Sequence, residues 1–358
     1  MKGYHLIPKG RRGKIDKKGA KNAFPQEPIM KKITILALNG AAATGITGPM
    51  DVFHLSDLNW GYTSGREPVV HFQVKIASMD GKAARCANRL YIEPHCSIHE
   101  VTDADLIIIP ALSDFVDQVV AKNEGVIDWL VQQYRSGSQI AGICTGAFVL
   151  AQTGLLNGKT ATTHWGFVDL FRQRYPLVRL RPECLVTDEG DLYCSGGSNA
   201  CFDLSLYLVE KLCGREVAVQ YAKVMVHDLG RITQSPYVMA RFKKDHNDPD
   251  ILKVQQWTER HYDEAISIPD LARQHGMSQR SFERRFKQAT GDSPLLYLQK
   301  VRIEAAKGML EKRSATFEEV TYRVGYEDIR SFRKIFQRHT GLRPKEYQRI
   351  YQSRPLAQ

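Results

Sequence analysis

The sequence predicts an α/β domain built as a parallel-sheet sandwich, followed by an all-α domain carrying two helix-turn-helix units. Two observations predict this. Short apolar runs alternate with helix-period segments from residue 33 to residue 214, and buried strands separated by helices mean a parallel sheet covered on both faces. Near its end the chain then repeats itself. SFERRFKQATGDSP at 281–294 returns as SFRKIFQRHTGLRP at 331–344, with six of fourteen positions identical.

Composition bounds the rest. The 358 residues suffice for two or three domains. No uninterrupted apolar run reaches the ~18–20 residues of a membrane span, so no membrane partner is expected. Seven cysteines without a CxxC pair provide neither a disulfide framework nor zinc-finger spacing, and a reducing cytoplasm is the expected setting. Cys86, Cys96, Cys184, Cys194, Cys201 and Cys213 show no ligand spacing, so no metal and no cofactor is expected. The net charge of +11 is uneven: residues 1–30 carry +6, residues 249–358 carry +7 and the middle is about −2. A basic C-terminal module on a near-neutral body suits a polyanion such as double-stranded DNA.

Taken in order, residues 1–30 are rich in Lys, Gly and Pro and read as a disordered tail without the apolar segment of a secretory signal. Met30 offers an alternative start directly before the first strand. A domain over 31–234 follows. ITILAL (33–38), FQVKIAS (72–78), ADLIIIPA (104–111) and QIAGIC (139–144) read as buried strands, and 125–137 and 145–154 as helices. ATTHW (161–165) reads as a further strand before a helix at 166–175. LYCSGG (192–197) leads into a helix at 198–214. The polar stretch 235–248 reads as a linker. Asp248 and Pro249 then form a helix start, as N-cap and first helical residue. An all-helical domain spans 249–350, and 351–358 is a tail.

Within that domain the first copy pairs a short helix, 268–276, with a second starting at the N-cap Ser278. Phe282, Phe286 and Ala289 recur at i, i+4 and i+7 and form a buried stripe. Arg280, Glu283, Arg284 and Lys287 fall on the opposite side. The second copy pairs 317–325 with a helix ending at Thr340, with Phe332 and Phe336 inside and a turn one residue longer. Helix, tight turn and helix with a basic outer face is the helix-turn-helix arrangement. The helix at 294–310 joins the copies and is long enough to set two reading helices near the ~34 Å spacing of successive major grooves.

The segment QIAGICTGAF (139–148) carries the other candidate site. A strand enters a tight turn bearing Cys144 and a helix leaves. A thiol at a helix N-terminus sits in a positive field, and this one is expected to be exposed at the carboxyl edge of the sheet, where open α/β folds bind ligands. The alternative is a small buried hydrophobe. The loop at 195–198 reads either as an anion-binding helix start or as an ordinary left-handed turn.

Residues 251–350, with LARQHGMSQRSFERRFKQATGDSP, the VRIEAAKGML connection and VGYEDIRSFRKIFQRHTGLRPKEYQ, resemble the AraC/XylS family of transcription regulators. GICTGAF, ATTHWG and the opening ITILALNG with GPMDVF resemble the DJ-1/PfpI branch of the class I glutamine-amidotransferase-like fold, a flavodoxin-like parallel-sheet sandwich. Across about 31–345 the chain is similar to the GlxA/FtrA type, which fuses the two.

The resemblance implies a DNA-binding regulator, an activator, controlled by a small effector. It also implies a homodimer, with RNA polymerase as a further partner. It places Cys144, Thr145, His164, Asn39, Gly40 and Ala41 at a ligand pocket. It implies base-edge contacts from Arg280, Glu283, Arg284, Arg330, Ser331 and Lys334, with Ser278, Ser281, Lys287, Arg333 and Gln337 completing the DNA face. The acidic residue that many enzymatic relatives carry falls near Gly45, where this chain has no carboxylate until Asp51. Without it the thiol lacks an activating partner, and no catalysis is expected. The alternatives are a Cys-dependent hydrolase or glyoxalase-like enzyme and a redox sensor at Cys144. Relatives of this type sense amines, amino acids or quaternary ammonium compounds, so the expected effector is nitrogenous, with Trp165, Tyr91 and Phe53 as a candidate aromatic wall.

Overall fold

The computed structural model describes residues 30–352 apart from 56–60, 63, 64, 66, 68, 69, 114–117, 119, 120, 124, 313 and 314. The tails expected at 1–30 and 351–358 therefore fall almost wholly outside the described residues. The N-terminal body is a seven-stranded sheet. In chain order its strands are β1 (Lys31–Ala37), β2 (Phe72–Ser78), β5 (Cys96–Ser97), β6 (Leu106–Ile109), β7 (Gln139–Ile143), β10 (Val186–Asp188) and β11 (Leu192–Ser195). The two-residue strands β3 (Ala84–Arg85) and β4 (Tyr91–Ile92) form a separate hairpin, and β8 (Thr160–Ala161) pairs with β9 (Arg179–Leu180) in a second small sheet.

The main sheet runs β10-β11-β7-β6-β1-β2-β5, and all its pairings are parallel except the β10–β11 edge. Ile35 lies opposite Ile76 on one side and Ile108 on the other. Such β-branched residues stack on a pleat at little entropic cost, and β6 is buried along its whole length. The body also contains helices α1 (Thr44–Met50), α2 (Gly125–Arg135), α3 (Gly146–Gln152), α4 (Val168–Arg174), α5 (Ala200–Cys213) and α6 (Arg215–Val224).

Two segments differ from the sequence reading. Only the first residue of 161–165 is in a strand. Thr162 and Thr163 lie outside the ladder: their hydroxyls donate to the carbonyls of Cys184 at 2.9 Å and Cys144 at 2.8 Å, and the Thr163 carbonyl accepts from the Gln234 side chain. The sheet also ends in an unforeseen antiparallel hairpin, β10–β11, turned through Gly190 at φ +90°.

The C-terminal domain contains α7 (Pro249–Arg260), α8 (Ile268–Gln274), α9 (Gln279–Thr290), α10 (Pro294–Glu311), α11 (Phe317–Arg323), α12 (Ile329–Thr340) and α13 (Pro344–Tyr351). Asp248 caps α7 through its carboxylate, with Pro249 first in the helix. The repeated TG-x-x-P has a direct physical cause. Thr290 and Thr340 each donate back to the Phe carbonyl four residues earlier, at 2.8 Å in both units. Gly291 and Gly341 then take left-handed φ values of +85° and +71°, and each proline opens the next helix.

The repeat extends further than those fourteen residues. Tyr297 and Tyr347, three residues after each proline, are both fully buried. Each meets its Phe edge-on, Phe286 at 5.2 Å and Phe336 at 5.5 Å between ring centroids. Each hydroxyl donates to a glutamate, Glu259 and Glu311 respectively. Helix α10 thus serves twice: its start closes the first unit as α13 closes the second, and its end opens the second as α7 opens the first.

Candidate functional site

Two places carry chemistry: the elbow after β7 and the exposed faces of α9 and α12. At the elbow Cys144 takes φ +56°, a left-handed conformation that costs a non-glycine residue about 1–3 kcal/mol. Neighbouring glycines make the turn possible. A Cβ on Gly146 would stand 2.6 Å from the Pro110 carbonyl oxygen, and one on Gly142 3.1 Å from the Ala147 nitrogen. Cys144 N donates to Ser195 O at 3.0 Å, and Thr163 holds the Cys144 carbonyl. The thiol is not open at the sheet edge: Cys144 is 4% exposed, because the loop after β11 closes over it and Ser198 Oγ stands 3.8 Å from Sγ, within hydrogen-bond range for sulfur. On the opposite side, a Cβ at Gly45 would stand 2.8 Å from the Ala111 nitrogen. No side chain, and so no carboxylate, fits at that point of α1.

His164 caps a short 3-10 helix, Trp165–Phe167, with Nδ1 accepting from Gly166 N at 3.0 Å. Its ring stacks on Trp165, 5.1 Å between centroids at 29°. Beside it opens a cavity of about 370 Å3 whose walls include His164, Trp165, Ser198, Arg231, Gln234 and Tyr237. Cys144 and Thr145 are not among its walls, and neither are Asn39, Gly40 and Ala41. They are tied at the end of β1 by main-chain and side-chain bonds to Arg85, Ala87 and Ser113. Thr145 is buried and spends its hydroxyl on both the Leu112 N–H and carbonyl. Of the three aromatics expected as a wall, only Trp165 lines this cavity. Phe53 packs edge-on against Phe72 in the core, and Tyr91 is exposed on β4.

Three residues without any periodic or motif signal complete the site. Arg231 is the only formally charged side chain among the described walls. Its guanidinium lies over the Tyr237 ring at 5.6 Å, and Nη1 is 3.4 Å from Asp203 Oδ2. Burial pushes the Asp203 carboxyl up from its ordinary value, against the pull of Arg231 and His227. Gln234 is 2% exposed. Its Nε2 donates to Thr163 O at 2.8 Å and Thr162 Oγ1 at 3.2 Å, and Oε1 accepts from Trp165 N at 3.3 Å. The one trace of this in the sequence is Gly196, where a Cβ would stand 2.9 Å from the Gln234 side chain. Gly196 and Gly197 have no left-handed φ, so close approach rather than a turn explains Gly196, while a Cβ at Gly197 would make only an ordinary contact, 3.6 Å from the His164 ring.

The segment after Gln234 joins the two domains. The space beside Gly341, in the second unit, is filled by Thr233 and Ser235. Lys307 Nζ donates to Val238 O at 2.5 Å, and Tyr237 meets Tyr351 edge-on at 6.2 Å. Further along, Phe242 packs against Tyr297 of the first unit, 4.9 Å between centroids.

The exposed face of α9 presents Arg280, Glu283, Arg284 and Lys287, and that of α12 presents Arg330, Ser331, Arg333, Lys334 and Gln337. Ser278 caps α9, accepting from the N–H of the half-buried Ser281 at 3.4 Å. Asp328 caps α12, accepting from Arg330 N at 3.0 Å and Ser331 N at 3.1 Å. Bonds from Ser331 and Arg330 hold its carboxyl below the usual range. Glu283 accepts from Gln279 Nε2 at 2.8 Å. Arg285, unremarked in the sequence, reaches back to Asp248 through Nε at 2.9 Å and Nη2 at 2.7 Å, and to Asp250 at 3.0 Å. Among the described residues no group of three or more His, Cys, Asp or Glu could hold a metal, and no helix is long and apolar enough to cross a membrane.

A model of the DJ-1/PfpI family matches residues 31–211, and a helix-turn-helix domain model matches residues 271–350. The chain therefore belongs to the DJ-1/PfpI family and carries a helix-turn-helix domain behind it. It is similar to the HTH-type transcriptional regulator GbdR of Pseudomonas aeruginosa, 24% identical over 93% of this chain and 88% of that protein. It is similar also to the HTH-type transcriptional regulator CdhR of the same species, 26% identical over 76% of this chain and 80% of that one. The isonitrile hydratase of Pseudomonas putida is 26% identical over 60% of this chain and 89% of its own length, so the N-terminal family holds enzymes as well.

Proposed function

We propose that the protein is a sequence-specific, DNA-binding transcription regulator, and that its DJ-1/PfpI domain binds a small effector and performs no catalysis. Gln234 carries this reading. It is buried in the cavity wall, bonded to the elbow's neighbour Thr163 and to Trp165, and it begins the segment that rests on the second helix-turn-helix unit. An effector that rearranges the wall therefore acts on the segment that positions the DNA-binding head, which is the differential interaction a ligand switch requires. Cys144, His164 and Ser198 belong to the effector site in this reading, while Thr145, Asn39, Gly40 and Ala41 shape the scaffold behind it.

The wall also bears on the effector's chemistry. Tyr237 already has Arg231 over one face, and His164 covers one face of Trp165, so no aromatic cage stands open for a bare cation. A nitrogenous metabolite that also carries a carboxylate, met by Arg231, fits better. Double-stranded DNA is the proposed partner, the cytoplasm the proposed setting, and a homodimer with RNA polymerase the proposed assembly. The strained Cys144 elbow and the likeness to a hydratase favour a second reading, a Cys-dependent enzyme. Cys144→Ser separates the two, because an enzyme loses turnover whereas a sensor keeps its ligand response.

The test of the main reading is a thermal-shift screen of amino acids, betaines and polyamines on the full chain, followed by DNA binding with and without each hit. A ligand at a hundredfold its Kd stabilises by about 2.7 kcal/mol. Gln234→Ala should lose the ligand's effect on DNA binding. Absence of any shift, or a Gln234→Ala protein that responds on DNA like the wild type, would sink the reading.

A further inference from the structure

The two helix-turn-helix units have separate cores that meet at one residue of α10. Val301 belongs to the first core, with Ile251, Phe282 and Phe286. Ile303 belongs to the second, with Val320, Phe332 and Phe336. Arg302 lies between them and is 7% exposed. Its Nε donates to Tyr262 O and its Nη2 to Glu264 O, both at 2.7 Å, in the loop between α7 and α8 of the first unit. Its guanidinium also lies over the Tyr326 ring at 4.8 Å, in the turn that precedes the reading helix of the second. Gly325 is shaped to this seam: a Cβ there would stand 2.7 Å from Arg302 Nη2 and 2.8 Å from Asp263 O.

A buried guanidinium is costly unless its donors are satisfied. Here Nε and Nη2 are held by carbonyls of one unit and the flat face by a ring of the other, so the guanidinium keeps all three contacts only while the two units keep this orientation. Among the described residues Tyr262 alone is an apolar side chain packed on both cores, and sliding apolar surfaces alone do not define an angle. The planar fork does, because its bonds have fixed directions.

We propose that Arg302 is a positioning residue for DNA reading, setting the spacing and phase between the faces of α9 and α12 so that one chain accepts one distance between its two contacted DNA segments.

The wild-type full chain selects a duplex from a random pool, footprinting maps the two contacted segments, and derivatives lengthen or shorten the gap by a base pair. Wild type is expected to lose about tenfold in affinity on each change, the order of cost of one misplaced base contact. Arg302→Met is expected to flatten that discrimination to below about threefold. Arg302→Lys, with a point charge in place of the fork, should fall between. Gly325→Ala, which wedges the same seam, should flatten it as well. A role in folding alone would weaken binding to all derivatives in parallel and leave the tenfold ratio standing. A folded Arg302→Met that keeps the ratio overturns the inference. If that variant does not fold, a retained tenfold ratio in both Arg302→Lys and Gly325→Ala overturns it. Wild-type protein that selects no duplex at all would overturn DNA reading itself, and this inference with it.

Discussion

The two helix-turn-helix units share a plan and differ in what holds them. Both have a Phe pair, a buried Tyr on a glutamate, and a Thr-Gly helix end. The first is fastened from behind: Arg285 on its reading helix grips Asp248 and Asp250 at the start of α7, and Phe242 of the linker packs on its core. At the matching position the second has Ile335, packed on its own core. Its outer contacts are Thr233, Ser235 and Val238, which lead directly to the cavity wall. One unit is tied to its own domain and to the far end of the linker, and the other leans on the part of the linker next to the cavity wall. A duplicated reader can therefore respond asymmetrically to one signal, with the second unit as its responsive half.

Base readout should separate the units most strongly. Arg284→Ala and Lys334→Ala are each expected to cost about 1–3 kcal/mol of specific binding, at different base positions. Footprinting and affinity across single-base operator variants check this. Equal losses on every sequence would mean both residues hold only phosphate.

A smaller effect tests the docking. Gly291 and Gly341 both need left-handed φ, so alanine at either costs about 1–2 kcal/mol in backbone strain. A Cβ at Gly291 meets nothing, whereas one at Gly341 meets Thr233 Cγ2 at 3.0 Å. Thermal unfolding of both variants should show a similar local loss, and only Gly341→Ala should also weaken the effector's influence on DNA binding. If Gly291→Ala uncouples it equally, the second unit is not the one in contact.

The smallest effect is a pH dependence. His339 occupies the place of Ala289. Burial, aided by Lys300 and Arg338, lowers its pKa. Below the unfolded value of about 6.5 the unfolded chain binds a proton that the folded one resists, so stability falls as pH drops through that point toward the lower folded value. Melting curves between pH 7 and 5 should show a decline, and His339→Ala, copying the first unit, should flatten it.

Much of this was legible in sequence. The TG-x-x-P repeat, the Phe spacing and the Asp-Pro helix start report local rules of capping and helical period, so they foretell the start of α7 and the helices α8 through α12 within a few residues. GICTG likewise announced the elbow, because only glycine tolerates carbonyls so close to it. The exposure of Cys144 was not legible, since a loop fifty residues later covers it. Nor was the membership of the cavity: Asn39 and Thr145 follow strands of the same sheet edge, yet their polar groups are taken up by neighbouring backbone, while Arg231, Gln234 and Tyr237 arrive from beyond the last helix of the sheet.

The sequence by itself determined two domains, a tight cysteine turn, two basic reading helices and the absence of an acid near Gly45. Those follow from period, charge and steric demand, which are properties of neighbours along the chain. Tertiary structure alone decided that Gln234 lines the cavity, that Arg285 and Arg302 are bonded within the C-terminal domain, and that the second unit is the one beside Thr233 and Ser235. Those depend on which distant surfaces meet, and a guanidinium or an amide carries no mark in the sequence of the carbonyl it will find.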